Sequence, residues 1–222
     1  MSAPSQGAVT QPTVFAFDAA NLARAKTIIA RYPVGRQASA VLPLLDLAQR
    51  QHQNWLPRAA MDYVAGLLDM APIRVYEVAT FYSMFNLEPV GKWFFQICTT
   101  TPCWLRGSDQ VVKACETKLG THVGETSADG LFTLKEVECL GACVNAPVIQ
   151  VNDDFYEDLD GPMTEGLIDA LRAGRVPPIG SVTGRQVSAP EGGPNVLKTV
   201  PEKYGWTLEP PPQPAAPAGS DD

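Results

Sequence analysis

The stretches Cys98-Thr-Thr-Thr-Pro-Cys103-Trp-Leu-Arg-Gly107 and Glu138-Cys139-Leu-Gly-Ala-Cys143-Val-Asn-Ala-Pro147 decide the fold, because they hold four of the chain's five cysteines in two close pairs. Four residues separate the first two cysteines, three separate the second two, and 35 lie between the pairs. Four thiolates in two close pairs can enclose one small metal centre. The sequence therefore predicts that Cys98, Cys103, Cys139 and Cys143 are metal ligands.

The spacing of the cysteines narrows the choice of metal without fixing it. Structural zinc sites also use four cysteines, usually with two to four residues inside each close pair, so zinc stays open. The cysteine runs of plant-type ferredoxins and of bacterial 4Fe–4S ferredoxins are absent. A Rieske centre needs two histidines, and His52 and His122 lie near no cysteine in the sequence. A 2Fe–2S cluster and a structural zinc ion are the two hypotheses that remain at this point.

The fifth cysteine is predicted to be structural. Cys115 lies in line with Val111, Val112 and Leu119 at helical spacing. A free cysteine on such an apolar stripe behaves as a small buried hydrophobic residue. We therefore leave it out of the metal site.

Composition excludes several classes of function. The chain has 222 residues, 45% of them hydrophobic, and a net charge of −7 without a cluster of Lys and Arg, which argues against nucleic-acid binding. It has no apolar run of roughly eighteen residues that would span a bilayer. Residues 1–23 contain no Lys or Arg, unlike secretory or mitochondrial targeting segments. We expect a bacterial cytoplasmic protein, or a mature organellar one, in which cysteines are more often metal ligands than disulfides.

The first part of the chain is predicted to be helical. Residues 1–14 are expected to be a flexible N-terminus, and residues 15–90 a small bundle of four short amphipathic helices. Asp18 is the candidate cap of the first helix, and Pro57 suits the first turn of the third. The apolar stripes of the four helices are Leu22, Ala25, Ile28 and Ile29; Val41, Leu44, Leu45 and Ala48; Met61, Val64, Leu67 and Leu68; and Val75, Val78, Ala79 and Tyr82.

From Gly91 the pattern changes to that of an α/β domain, which we place at residues 91–176. Short β-prone runs and helical stretches alternate there. In chain order they are a strand at 93–98, a helix from Cys103 to Leu119, strands at 132–139 and 148–151, and a helix opened by Pro162. Residues 177–222 form a Pro-rich tail that is expected to be largely extended or disordered, with 197–208 as a candidate docking segment.

Both cysteine stretches closely resemble those of the 2Fe–2S subunit (NuoE type) of respiratory complex I, which is the thioredoxin-like ferredoxin of its NADH dehydrogenase module. Three other segments also look like this family, namely Tyr32–Ala40, Arg74–Tyr82 and Asn152–Asp158. The resemblance covers roughly residues 15 to 175. It implies an α+β fold, with a small N-terminal helical bundle followed by a thioredoxin-like α/β ferredoxin domain. It also implies one 2Fe–2S cluster, because Cys98, Cys103, Cys139 and Cys143 each match a family ligand position.

The resemblance also implies a function. The chain would be a subunit of NADH:quinone oxidoreductase, a proton-translocating enzyme, and its cluster would exchange single electrons with the FMN of a partner flavoprotein subunit. That partner and the large iron–sulfur subunit would be its neighbours, on the cytoplasmic face of the bacterial inner membrane or on the matrix side in an organelle. NADH and FMN would bind to the partner, because Gly120 and Gly124 do not form a nucleotide fingerprint. No residue of this chain is assigned a catalytic role.

Three other interpretations remain open. The first is a ferredoxin subunit of a soluble NAD-linked formate dehydrogenase or hydrogenase, since related subunits serve those enzymes. A free-standing ferredoxin is the second interpretation, and a structural zinc-binding interaction subunit is the third.

Two segments also have alternative roles. The run 81–85 is either a docking surface for the flavoprotein or a packing element between the two domains. Arg106 and Thr99–Thr101 lie beside the ligands, where they would tune or seal the cluster. Alternatively, Arg106 only pairs with an acidic residue across the loop.

Overall fold

Four helices occupy the first part of the chain in the computed structural model, which describes residues 10–184. They are α1 (Ala19–Ile29), α2 (Val41–Gln51), α3 (Arg58–Leu67) and α4 (Pro72–Phe81). Asp18 caps α1 as predicted, since its carboxylate accepts a hydrogen bond from the Asn21 N–H at 2.7 Å. The four predicted helices are confirmed.

The buried faces of these helices form one hydrophobic core. Leu44 and Leu45 of α2, Val64 of α3 and Val75 of α4 are fully buried in it. In α2, Val41 is also buried and precedes Leu44 by three residues and Leu45 by four, which is the helical spacing from which the bundle was predicted. Removing apolar side chains of this size from water is the main stabilising contribution in such a small unit.

The second part of the chain forms a five-stranded sheet with three helices. The strands are β1 (Trp93–Cys98), β2 (Phe132–Val137), β3 (Val148–Val151), β4 (Asp154–Glu157) and β5 (Gly180–Ser181), in the spatial order β2-β1-β3-β4-β5. The helices are α5 (Thr101–Leu105), α6 (Ser108–Leu119) and α7 (Gly161–Arg172). β3 pairs antiparallel with both β1 and β4, and β4 pairs parallel with β5.

Three details differ from the sequence prediction. The helix predicted from Cys103 to Leu119 is two helices, α5 and α6, because Gly107 between them has a φ of 94°, which favours glycine. The strand predicted to reach Cys139 ends at Val137. The sequence prediction also missed β4, which follows β3 through a tight turn at Asn152, and β5, which lies in the predicted tail.

The described residues group into two compact units. One contains residues 10–92 with 128–133, and the other contains residues 93–127 with 134–184. This grouping does not test the predicted domain boundaries after residues 14, 90 and 176, which stay predictions. The candidate docking segment 197–208 lies outside the described residues. Within residues 10–184, no helix has both the length and the apolar character needed to cross a membrane.

The prediction for Cys115 is confirmed. This side chain is fully buried on α6, which packs against α7. Lys118 of α6 and Asp169 of α7 form an ion pair at 2.8 Å between the same two helices. Burial raises the pKa of the Cys115 thiol to about 12, so the thiol stays protonated and unreactive at neutral pH.

Candidate metal centre

The register of the sheet brings the two cysteine pairs together. Cys98 is the last residue of β1, and the antiparallel pairing of Ile97 with Ile149 places it beside the start of β3. The segment that enters β3 is the one that carries Cys139 and Cys143. Strand pairing therefore closes the gap of 35 residues between the pairs.

The first pair of thiols is buried. Cys98 is 2% exposed and Cys103 is 1% exposed. Cys103 is the third residue of α5, which begins at Thr101, so the expectation that Cys103 starts a helix is wrong by two residues. A small apolar cluster surrounds the two thiols and shields them from water; it consists of Ala146 and Val148 with Leu140, Ala142 and Phe155.

The second pair of thiols is exposed. The Sγ atoms of Cys139 and Cys143 lie 3.6 Å apart, and the Gly141 N–H donates to Cys139 Sγ at 3.4 Å. Gly141 has a φ of 81°, a conformation that favours glycine, and it lets the loop turn so that its own N–H reaches Cys139 Sγ. Two sulfurs bound tetrahedrally to one metal at about 2.3 Å lie about 3.8 Å apart. The exposed pair is therefore spaced to share a metal ion.

Hydrogen bonds from the protein converge on the buried pair. Thr100 Oγ1 lies 3.3 Å from Cys98 Sγ, and the backbone groups of Leu140 and Thr100 also lower the pKa of this thiol. Burial raises the pKa of Cys98, but these donors outweigh it and the net pKa is lowered. The pKa of Cys103 is raised to about 12 by burial and by its bond to Cys98, against the lowering effect of the Val148 N–H. A metal that binds here must displace the Cys103 proton.

Electrostatic coupling links the two pairs into one site. The pKa of Cys143 is raised by its hydrogen bond with Cys139, by burial, and by the negative charges of Cys139 and Cys98. Cys143 in turn raises the pKa of Cys103. Among residues 10–184, no three His, Cys, Asp or Glu side chains converge as ligands of a single metal ion. The sulfurs instead stand as two pairs that influence each other electrostatically, and the exposed pair has the spacing of two ligands of one metal. This donor set fits a 2Fe–2S cluster.

The residues beside the ligands behave differently from one another. Thr100 contacts a sulfur, whereas the Thr99 hydroxyl donates to the Glu136 carboxylate. Arg106 is exposed and forms no ion pair within the described part of the chain, so an acidic partner across the loop is not found there. In the aromatic run, Phe85 is buried in the helical core, while Phe81 is 80% exposed.

Sequence reasoning missed four contributors to the site. The backbone groups of Leu140 and Val148 lower the pKa of Cys98 and Cys103 respectively, and a backbone group leaves no signal in the residue type. Asn145, two residues after Cys143, forms a buried pair with Glu157. The polar Asn145 so close to a ligand was the available signal for that pair.

Comparison with known proteins gives consistent relatives. The chain is 62% identical over 155 residues to an NADH-quinone oxidoreductase subunit of Rickettsia typhi, a match that covers 70% of this chain and 91% of the relative. It is 49% identical over 187 residues to "NADH dehydrogenase [ubiquinone] flavoprotein 2, mitochondrial" of Dictyostelium discoideum, which covers 84% of this chain and 76% of that one.

A solved structure and a family model agree with these relatives. Part of an NAD⁺-reducing [NiFe]-hydrogenase in the air-oxidized state superposes with a TM-score of 0.52 at 19% identity, covering 59% of this chain and 23% of the hydrogenase chain, which shows the similarity of fold alone. The model of the family described as "Thioredoxin-like [2Fe-2S] ferredoxin" matches residues 25–172. The predicted fold class is confirmed, and the chain belongs to the thioredoxin-like 2Fe–2S ferredoxin family.

Proposed function

We propose that Cys98, Cys103, Cys139 and Cys143 bind one 2Fe–2S cluster and that this chain is the electron-transfer subunit of an NADH:quinone oxidoreductase. The observation that carries the proposal is that the fold brings the two cysteine pairs together at one site. The chain that does so is 62% identical to a bacterial NADH-quinone oxidoreductase subunit. The chain is thus part of an oxidoreductase, and the complete active site lies elsewhere in the complex.

The cluster supplies one-electron chemistry when it is bound. The protein's part is to hold four thiolates and to stabilise their charge. Thr100 Oγ1 lies within hydrogen-bond distance of Cys98 Sγ and the Gly141 N–H donates to Cys139 Sγ, so one sulfur of each pair has a donor from the chain. The apolar residues around Cys98 and Cys103 keep water from the buried half of the site. Cys139 and Cys143 are exposed, so a cluster held by them would be open to a partner on that side for electron exchange.

The partner is the flavoprotein subunit, which binds NADH and FMN, and the large iron–sulfur subunit is the second neighbour. The names of the relatives support membership of this complex. Phe81, Tyr82 and Met84 are exposed and offer an apolar docking surface for the flavoprotein. The chain is a peripheral subunit on the cytoplasmic face of the bacterial inner membrane, or on the matrix side in an organelle.

The test is the metal content and the EPR spectrum of the full chain, purified anaerobically. We expect two irons and two acid-labile sulfides per chain, and an EPR signal of a reduced 2Fe–2S cluster after dithionite treatment. Single Cys→Ser changes at Cys98 and Cys103 should abolish or alter the signal, whereas Cys115→Ser is the matched control and should leave it unchanged. A colourless chain that carries one zinc ion would reject electron transfer and favour a structural role.

The assignment to the respiratory complex needs a separate test. A tagged copy of the full chain should co-purify with a flavoprotein that oxidises NADH and with membrane fractions of the source cells. Recovery with a soluble formate dehydrogenase or hydrogenase would keep the 2Fe–2S site but reject the respiratory assignment.

A further inference from the structure

A buried amide two residues after Cys143 is hydrogen-bonded to a buried carboxylate of the sheet. Asn145 is 1% exposed and Glu157 is 8% exposed, and the Asn145 side-chain N–H donates to the Glu157 carboxylate at 2.6 Å. Asn145 ends the short 3₁₀ turn that begins at Cys143, and Glu157 is the last residue of β4. The pair therefore ties the outer ligand segment to the sheet.

Backbone hydrogen bonds fasten the same residue. The Asn145 carbonyl accepts from the Asp158 N–H at 2.7 Å, and the Asn145 N–H donates to the Ala142 carbonyl at 3.0 Å. Asn145 is thus joined to the end of β4 through both its backbone and its side chain. Because Cys143 itself is exposed, the placement of its sulfur depends strongly on this attachment two residues away.

The pair costs stability that a purely structural link would avoid. The side-chain oxygen of Asn145 is buried and has no hydrogen-bond partner among the residues described. The Glu157 carboxylate fixes the orientation of the Asn145 amide, because rotating the amide by half a turn would place its oxygen, instead of its N–H group, against the carboxylate oxygen. A buried acceptor without a donor is unfavourable, and well-packed apolar side chains often replace buried polar pairs without loss of stability. The exceptions that a fold retains are expected at functional sites.

We propose that Asn145 and Glu157 are a positioning pair for Cys143, and that the buried carboxylate lowers the reduction potential of the cluster; this proposal rests on the proposed function. Reduction adds one electron to a centre that already carries the charge of four thiolates. A fixed negative charge opposes that addition, and the opposition is stronger in a protein interior than in water. Asn145 holds the carboxylate at a constant position relative to the ligand segment.

The test is Glu157→Gln in the full chain, followed by EPR during a potentiometric titration. Glutamine keeps the size of the side chain and its carbonyl can still accept the Asn145 N–H, so the fold and the iron content should not change. We expect the midpoint potential to rise by an amount equivalent to roughly tenfold in the reduction equilibrium, which is about 59 mV for one electron. Glu165→Gln is the matched control, because Glu165 is an exposed acidic residue of the same unit and solvent screens its charge.

Asn145→Ala tests the positioning role separately. It removes the donor but keeps the carboxylate, so we expect faster loss of iron to a chelator and a changed EPR line shape. A Glu157→Gln potential equal to that of the wild type or of Glu165→Gln would overturn the proposal. Absence of any 2Fe–2S signal in the wild-type chain would reject the proposed function instead, so the two failures are distinguishable.

Discussion

Replacing Thr100 by valine should lower the reduction potential of the cluster. The Thr100 hydroxyl lies 3.3 Å from Cys98 Sγ and donates a hydrogen bond once Cys98 is a thiolate. Valine has nearly the same shape but no donor. Because Cys98 is only 2% exposed, water cannot reach the sulfur to replace the lost bond. Reduction makes the site more negative and strengthens such a bond, so its loss disfavours the reduced state.

The size of this effect follows from the energy of the bond. A hydrogen bond to a charged group contributes about 1.5–3 kcal/mol. The added electron is shared over the whole cluster, and we take about one third of that energy to be gained only on reduction. Thr100→Val then destabilises the reduced state by about 0.5–1 kcal/mol. A free energy of about 1.4 kcal/mol is a tenfold change in the reduction equilibrium, or about 59 mV for one electron, so the midpoint potential should fall by about 20–40 mV.

The assay is an EPR-monitored redox titration of the purified chain, with two matched variants. Thr100→Ser restores the hydroxyl and should bring the potential back toward that of the wild type. Thr99→Val removes a hydroxyl that bonds to Glu136 rather than to a sulfur, so it should leave the potential nearly unchanged. Equal potentials for Thr100→Val and the wild type, or equal shifts in Thr100→Val and Thr99→Val, would refute the reasoning.

Three further predictions concern stability. Cys115→Ala should lose less stability at alkaline pH than the wild type. Burial raises the pKa of the Cys115 thiol in the folded state to about 12 from 9.0, so its stabilising contribution is complete below pH 9 and falls by up to about 2 kcal/mol by pH 11. Urea unfolding of both proteins at pH 9 and pH 11 measures this difference. Leu44→Ala should cost about 2–5 kcal/mol of unfolding free energy, because this leucine is fully buried in the helical core. Asp160→Ala should cost about 1 kcal/mol, because its carboxylate accepts the Met163 N–H at 2.7 Å and caps α7; the loss is measured by denaturation.

Each stability prediction has its own control. Ile73→Ala removes an exposed apolar side chain from α4 and should change the free energy of unfolding by less than about 0.5 kcal/mol. Asp160→Asn keeps an acceptor at the cap and should retain most of the stability. If Cys115→Ala and the wild type lose equal stability between pH 9 and pH 11, other groups cause the alkaline unfolding.

Local patterns were enough to predict most of the secondary structure. The strand at 93–98 and the helices capped by Asp18 and opened by Pro162 are where the apolar spacing and end signals place them. The break at Gly107 was missed, although a glycine before Ser108 is a common helix boundary. β4 was missed because it has only four residues, Asp154–Glu157, begins and ends with an acidic residue, and depends on pairing with β3.

The candidate site was predictable in its residue types but not in its asymmetry. Spacing and residue type identify the four thiols, because few side chains serve iron. Nothing in the spacing shows that Cys98 and Cys103 are buried while Cys139 and Cys143 are exposed, since burial follows from the sheet register and from the packing around β3. For the same reason, the backbone donors and the pairing of Asn145 with Glu157 emerge only from the fold.

This asymmetry leads to a last prediction about assembly. Large apolar side chains next to the ligands are exposed, with Trp104 following Cys103 and Val144 following Cys143. In the proposed complex, the flavoprotein covers this edge and removes water from Cys139 and Cys143. Loss of water disfavours the more highly charged reduced state, so the midpoint potential should be lower in the complex than in the isolated chain.

Comparing redox titrations of the isolated chain and of the intact complex measures that difference. Val144→Ala is a useful companion variant, because it trims the exposed rim without touching a ligand and should leave the potential of the isolated chain unchanged. Equal potentials in the two preparations would mean that the outer sulfurs stay hydrated after assembly. The exposed cysteine pair would then not be the side on which the partner binds, and the route of the electron would have to be sought through the buried pair.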